Sequence, residues 1–255
     1  MKKLLLFLAF CGGSLLLSCK DDVGKKGLPV DRIGSVKHLP GFGDTSGLPE
    51  GTPFRMPAGL HLVKRPDHRF DPDIRKLKGN MNTFYVDIHV VADSTWGGGE
   101  LVFPKGLVML NISPSKIQNG MLMGRVRINV PPYSRLGGRD TLSCYLGVAC
   151  INANMGFPWE DNFGSDDRNF PISKGLHVPY VTVTDQELLQ FLGLLEDKEH
   201  LNLTRHHNPW DMLREDYVEP AWMKPYRIIQ DRLWLMTDGP GLSREDLEEL
   251  WEAIQ

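Results

Sequence analysis

From Phe84 to Ile151 the chain is written in short strands, and this pattern restricts its fold more than any other feature. Phe84, Val86, Ile88 and Val90 alternate with Tyr85, Asp87 and His89, a period of two that sends successive side chains to opposite faces. Runs at Glu100–Phe103, Leu107–Ile112, Met121–Val130 and Thr141–Ile151 follow, separated by Gly97-Gly98-Gly99, Asn119-Gly120, Pro131-Pro132 and Gly137-Gly138. His177–Val183 closes the series after the polar loop Trp159–Ser173. Strands this short, with turn residues between them, close into an antiparallel β-sandwich or barrel. The first strand is expected to be half-buried, with Asp87 and His89 on its solvated face.

At Thr184 the period becomes helical. Thr184-Asp185-Gln186-Glu187 has the form of a capping box, opening a helix that buries Leu188, Leu189, Phe191, Leu192 and Leu195. A second helix spans Tyr226–Thr237, with Gly239 just past its end and Pro240 beyond. Ser243 and Asp246 cap a last one, whose Leu247, Leu250, Trp251 and Ile254 share a face. The expected fold is mainly β with C-terminal helices: a β-sandwich body over 80–184, immunoglobulin-like or thioester-domain-like, and a small helical layer over 185–255. Residues 19–79 are rich in breakers, such as Gly27-Leu28-Pro29, Leu39-Pro40-Gly41 and Gly51-Thr52-Pro53, and read as a stalk. Leu60–Val63 is the one part expected to pair with the body.

The first residues supply an address. Met1-Lys2-Lys3 is cationic and Leu4–Leu17 is apolar but too short to span a bilayer, the form of a secretory signal peptide. Its end, Leu16-Leu17-Ser18-Cys19, resembles the lipobox of bacterial lipoproteins, which implies cleavage after residue 18 and acylation of Cys19. Several acyl chains hold a protein stably on a membrane. Lys20-Asp21-Asp22 resembles the export signal that follows the lipidated cysteine in surface lipoproteins of the Bacteroidota. Together these imply an outer-membrane protein held by palmitate-type chains and facing the cell exterior.

Removing residues 1–18 takes away two lysines and no acid, so a net charge of −3 becomes −5. That balance, with no long basic cluster, argues against nucleic acid as a partner. Besides the anchor only Cys144 and Cys150 remain, six residues apart on one strand. A straight strand separates them by roughly 20 Å, beyond the roughly 7 Å reach of a disulfide; a bridge would require a fold-back at Gly147.

Cys150-Ile151-Asn152 ends a strand, and Ile229-Gln230-Asp231-Arg232-Leu233-Trp234 lies on a helix. Together they resemble the two motifs of bacterial thioester domains of surface adhesins, over roughly residues 101–238. In that family a cysteine before an apolar residue and Asn or Asp bonds to a glutamine in an apolar-Gln-x-x-apolar setting. The resemblance implies an internal Cys150–Gln230 thioester, an acyl group with a thiolate leaving group that a presented amine displaces. Helical spacing puts Tyr226 and Trp234 on the face of Gln230 as an aromatic shield. The sequence departs from the family at Ile229, Arg232 and Ala149, where Thr, Ala and an aromatic residue or Leu are common.

Other constellations are weaker. Asp161, Asp166 and Asp167 offer oxygen ligands for Ca²⁺ on a loop, without EF-hand spacing. The histidines show no His-Glu-x-x-His, and with no paired Cys-x-x-Cys a zinc site is not expected. No Gly-x-Ser-x-Gly elbow occurs. The expectation is a non-enzymatic, cofactor-free surface protein that binds a host or glycan ligand or an outer-membrane protein. Two alternatives stand beside it: a surface hydrolase acting on polysaccharide or peptide, and a structural accessory subunit of an outer-membrane complex.

Overall fold

The computed structural model describes residues 27–114, 116–136, 141–157, 172–207 and 214–255. Cys19, Lys20, Asp21, Asp22, Asp161, Asp166 and Asp167 lie outside the described residues. The strands are β1 (Thr52–Pro53), β2 (Leu60–Leu62), β3 (Leu77–Gly79), β4 (Phe84–Ala92), β5 (Gly99–Phe103), β6 (Leu107–Asn111), β7 (Gly120–Met121), β8 (Val126–Val130), β9 (Leu142–Cys150) and β10 (His177–Thr182). The helices are α1 (Tyr133–Leu136), α2 (Gln186–Leu194), α3 (Lys224–Thr237) and α4 (Arg244–Ala253).

The main sheet runs β1-β10-β6-β7-β9-β4-β2, with β3 parallel to β9, and β5 and β8 form a separate ribbon. The fold is mainly antiparallel β, a curled sheet with a few C-terminal helices. Its axis is the β4–β9 pair, in register from Phe84↔Val148 to Val90↔Leu142. Cys144, Leu146, Val148 and Cys150 of β9 face one apolar cluster with Phe84, Val86 and the β5–β8 ribbon. Tyr145 and Ala149 face the other, with Tyr85 and the leucines of α2, α3 and α4. Cover on both faces explains why β9 reads as an almost unbroken apolar run.

That double cover overturns the half-buried reading of β4. Asp87 and His89 are 3 % and 2 % exposed, because the segment around His68 and Phe70 and the turn at Ser173–Gly175 close over them. The Met121–Val130 run is two strands in different sheets. It breaks at Gly124, where an added Cβ would sit 2.8 Å from the Asn80 amide. No fold-back occurs at Gly147: β9 is continuous and Cys144 and Cys150 are unbridged. A Cβ at Gly147 would lie 2.0 Å from the Met81 carbonyl oxygen, so a bare backbone lets the neighbouring chain pack there.

The helices follow their signals with two shifts. The N-cap of α2 is Asp185, not Thr184, and its carboxylate accepts from Glu187 N and Leu188 N. Glu187 is thereby released from the expected box and accepts instead from Gly34 N at 2.6 Å. Leu189 points outward at 38 % exposure, while Leu194 joins the buried face. The Ser243–Asp246 capping box on α4 is present as expected.

Residues 27–79 do not form a stalk. Ile33, Val36, Phe42 and Leu77 are buried in the cluster that holds α2, α3 and α4, and Ile33 bridges Leu242 across the C-terminal turn. Breakers set the path of this segment, but its scattered apolar residues still gain from burial. One cluster therefore draws on all three segments expected after the signal peptide, and the divisions at 79 and 184 do not separate cores.

Candidate functional site

Strand β9 ends where α3 crosses it, and the two sequence motifs meet there. The Gln230 carboxamide is clasped to the Cys150 backbone: Cys150 N donates to Oε1 at 2.8 Å, and Nε2 donates to the Cys150 carbonyl at 2.8 Å. The Thr83 hydroxyl donates to the same Oε1 at 2.6 Å. Two donors on one carbonyl oxygen withdraw electrons from the carboxamide carbon, the arrangement that stabilises a developing oxyanion. Gln230 is 5 % exposed and Cys150 fully buried.

The Cys150 thiol receives Asn152 N–H at 3.4 Å. Burial nevertheless pushes it up to about 12, so it stays protonated at neutral pH. Asn152 fixes the strand end. Its Oδ1 accepts from Asn119 N, and its Nδ2 donates to the Gly41 and Gly43 carbonyls, each at 2.9 Å. The Trp234 indole N–H leans the thiol slightly toward ionisation but is buried without meeting hydrogen-bond geometry.

Of the two expected shield residues, Trp234 packs on the cluster that contains Cys150. Tyr226 lies in the other cluster, its hydroxyl donating to the Leu201 carbonyl at 3.0 Å. Arg232, a departure from the family motif, is turned away: its guanidinium donates to the Asp246 carbonyl at 3.2 Å and pairs with Glu249 on α4. One neighbour was missed in sequence. Asp238 follows Gln230 and Trp234 at helical spacing, and its Oδ2 accepts from Thr237 Oγ1 at 2.5 Å. Its Oδ1 is buried without a partner, and burial raises its carboxyl above the usual range. The i, i+4, i+8 spacing was the available signal.

A second polar cluster lies on the face of β4 and β9 that carries Tyr85 and Tyr145. Asp87 Oδ2 meets His89 Nε2 at 2.8 Å, and His89 Nδ1 meets the Ser143 hydroxyl at 2.8 Å. Ser173 Oγ and Gly175 N donate to Asp87 Oδ1 at 2.9 and 3.2 Å. These bonds outweigh burial and hold the Asp87 carboxyl below its ordinary range. An ionised Asp87 accepts from His89 Nε2. His68 lies edge-on to His89 at 4.5 Å, and its Nε2 is 2.8 Å from the Tyr145 hydroxyl.

Among the described residues, no group of three or more His, Cys, Asp or Glu side chains is placed to hold a metal ion, and no helix is long and apolar enough to cross a membrane. Comparison of the chain with protein-family models, curated proteins and solved structures found no match.

Proposed function

We propose that this chain is a lipid-anchored surface protein that captures a ligand, and that the capture is covalent, through a Cys150–Gln230 thioester. The observation that carries the reading is the Gln230 carboxamide, held by its oxygen in two hydrogen bonds and gripped by the residue that owns the thiol. In the bond-forming step Cys150 Sγ attacks Gln230 Cδ, the Cδ–Nε2 bond breaks, and the thiol proton leaves with the amide nitrogen as ammonia. A ligand amine then attacks Cδ, and the thiolate departs and recovers a proton. Burial protects the acyl group from water until an amine is presented. Acylation at Cys19 and the acidic signal after it would hold this chemistry on the outer face of the outer membrane.

Intact mass of a soluble form beginning at Lys20, prepared without amine buffers or reductant, tests the proposal. The expected result is loss of one ammonia, replaced by one methylamine on treatment and absent from both Cys150→Ala and Gln230→Ala. An unaltered mass with two thiols alkylated on unfolding would overturn it. The hydrolase alternative has one observation in its favour, the Ser143–His89–Asp87 chain, whose order is that of an acyl-transfer relay. Its signature is an alkyl fluorophosphonate adduct on Ser143 that disappears in His89→Ala; an unlabelled Ser143 removes it.

A further inference from the structure

A polar groove of about 450 Å³ opens beside the segment that leads into β8, roofed by the loop that follows α2. A hollow of about 270 Å³ continues it past Lys78 and shares Arg125, Arg127 and Asn202. This volume falls in the range of small-ligand sites. It shares no residue with the Cys150–Gln230 pair.

Its two walls carry opposite charge. Lys78, Lys105, Arg125 and Arg127 line one side, while the roof brings Glu196, Asp197 and Glu199, with Lys198 among them. Lys105 pairs with Glu196 at 2.8 Å and Arg127 with Glu100 at 2.8 Å. Both are exposed surface pairs of small energy, which a ligand can exchange at little cost. Arg125 is exposed and makes no hydrogen bond or ion pair with a described residue, on a chain whose net charge is −3. At the floor, Asn80 is 5 % exposed and its Oδ1 is buried without a partner.

We infer that the groove binds an anionic saccharide, with a sugar carboxylate on Arg125 and hydroxyls donating to the roof acids. The guanidinium fork matches a carboxylate. The Asn80 and Asn202 amides and the carboxylates of Glu196 and Glu199 suit hydroxyl groups. Apolar side chains are few in the lining, which disfavours a lipid or an aromatic ligand. An acidic peptide side chain brings carboxylates alone to the three acids of the roof, whereas a uronic-acid sugar sets hydroxyl donors beside each carboxylate, and those donors suit the roof.

Calorimetric titration of the folded chain with a hexamer of galacturonate at low salt tests the inference. Binding is expected to weaken with added salt, to be lost by about tenfold or more in Arg125→Ala, and to recover partly in Arg125→Lys. Maltohexaose, which lacks the carboxylate, is expected to bind at least about tenfold more weakly. Because Arg125 is exposed, the melting curve of each variant should match that of the parent. Cys150→Ala should leave the affinity unchanged, so the groove and the thioester fail separately. No binding of the galacturonate hexamer, equal binding by Arg125→Ala, or tighter binding of a hexaglutamate peptide would each overturn the proposal, the last by assigning the groove to acidic peptides.

Discussion

Replacing Asp87 with alanine is expected to destabilise the protein by about 3–5 kcal/mol, the summed cost of taking the acceptor away from the enclosed donors it holds. Its side chain is fully enclosed and holds His89 Nε2, Ser173 Oγ and Gly175 N. The buried His89 and Ser173 would be left without an acceptor, and the half-buried Gly175 N–H would lose its partner. The loss spreads, because His89 also aligns Ser143 and lies against His68, whose strand-facing nitrogen meets Tyr145. Urea denaturation at pH 7 measures the effect. Asp87→Asn keeps the shape and one acceptor and should recover part of the loss. A cost below about 1 kcal/mol for the alanine variant would place the network among ordinary surface pairs.

The second large effect is loss of stability in mild acid, centred on His177. Its Nε2 is 2.8 Å from the Gln118 carbonyl, its ring is 5.2 Å from Phe84, and its Nδ1 is buried without a partner. Burial lowers its pKa from 6.5 to about 4. Between those values the unfolded chain binds a proton that the native state refuses, so stability falls as pH falls. The sum approaches about 3 kcal/mol at pH 4, and little more is lost from this group below it. His68, also lowered, acts in the same direction. Asp87, held low, adds its loss only below its ordinary value of 3.8. Asp231 and Asp238, raised by burial, act in the opposite direction, but both are partly solvated and weaker. Urea midpoints from pH 7 to 4 should fall accordingly, and His177→Gln should flatten that profile whatever its effect at pH 7. An unchanged slope in the variant would show that another group governs acid stability.

The thioester reading and the groove make different demands on the same molecule. The Cys150–Gln230 pair is held by backbone hydrogen bonds in the dry end of the sheet, where a covalent bond can persist. The groove is wet and charged and suits reversible contact with a hydrated polymer.

Much of the local structure was written in the sequence. Strand period, turn residues and the Ser243–Asp246 box act over a few residues, so β4, β9, α3 and α4 were legible within a residue or two. That the segments of Cys150 and Gln230 meet was legible as well, because each residue sits in a short motif at the end or middle of a regular element. What sequence could not supply was cover. Asp87 and His89 looked solvated because alternation reports the faces of a strand, not what packs on them. The segment around His68 and the turn at Ser173–Gly175 buried both. The same holds for Ile33, Val36 and Phe42, whose segment has no period yet fills the helical face of the core. Glu187 and Gly34 lie 153 positions apart, and their hydrogen bond depends on how α2 docks. Backbone period and caps are decided by neighbours in the chain; burial and the charge state of enclosed groups are decided by neighbours in space, and only the folded chain brings those together.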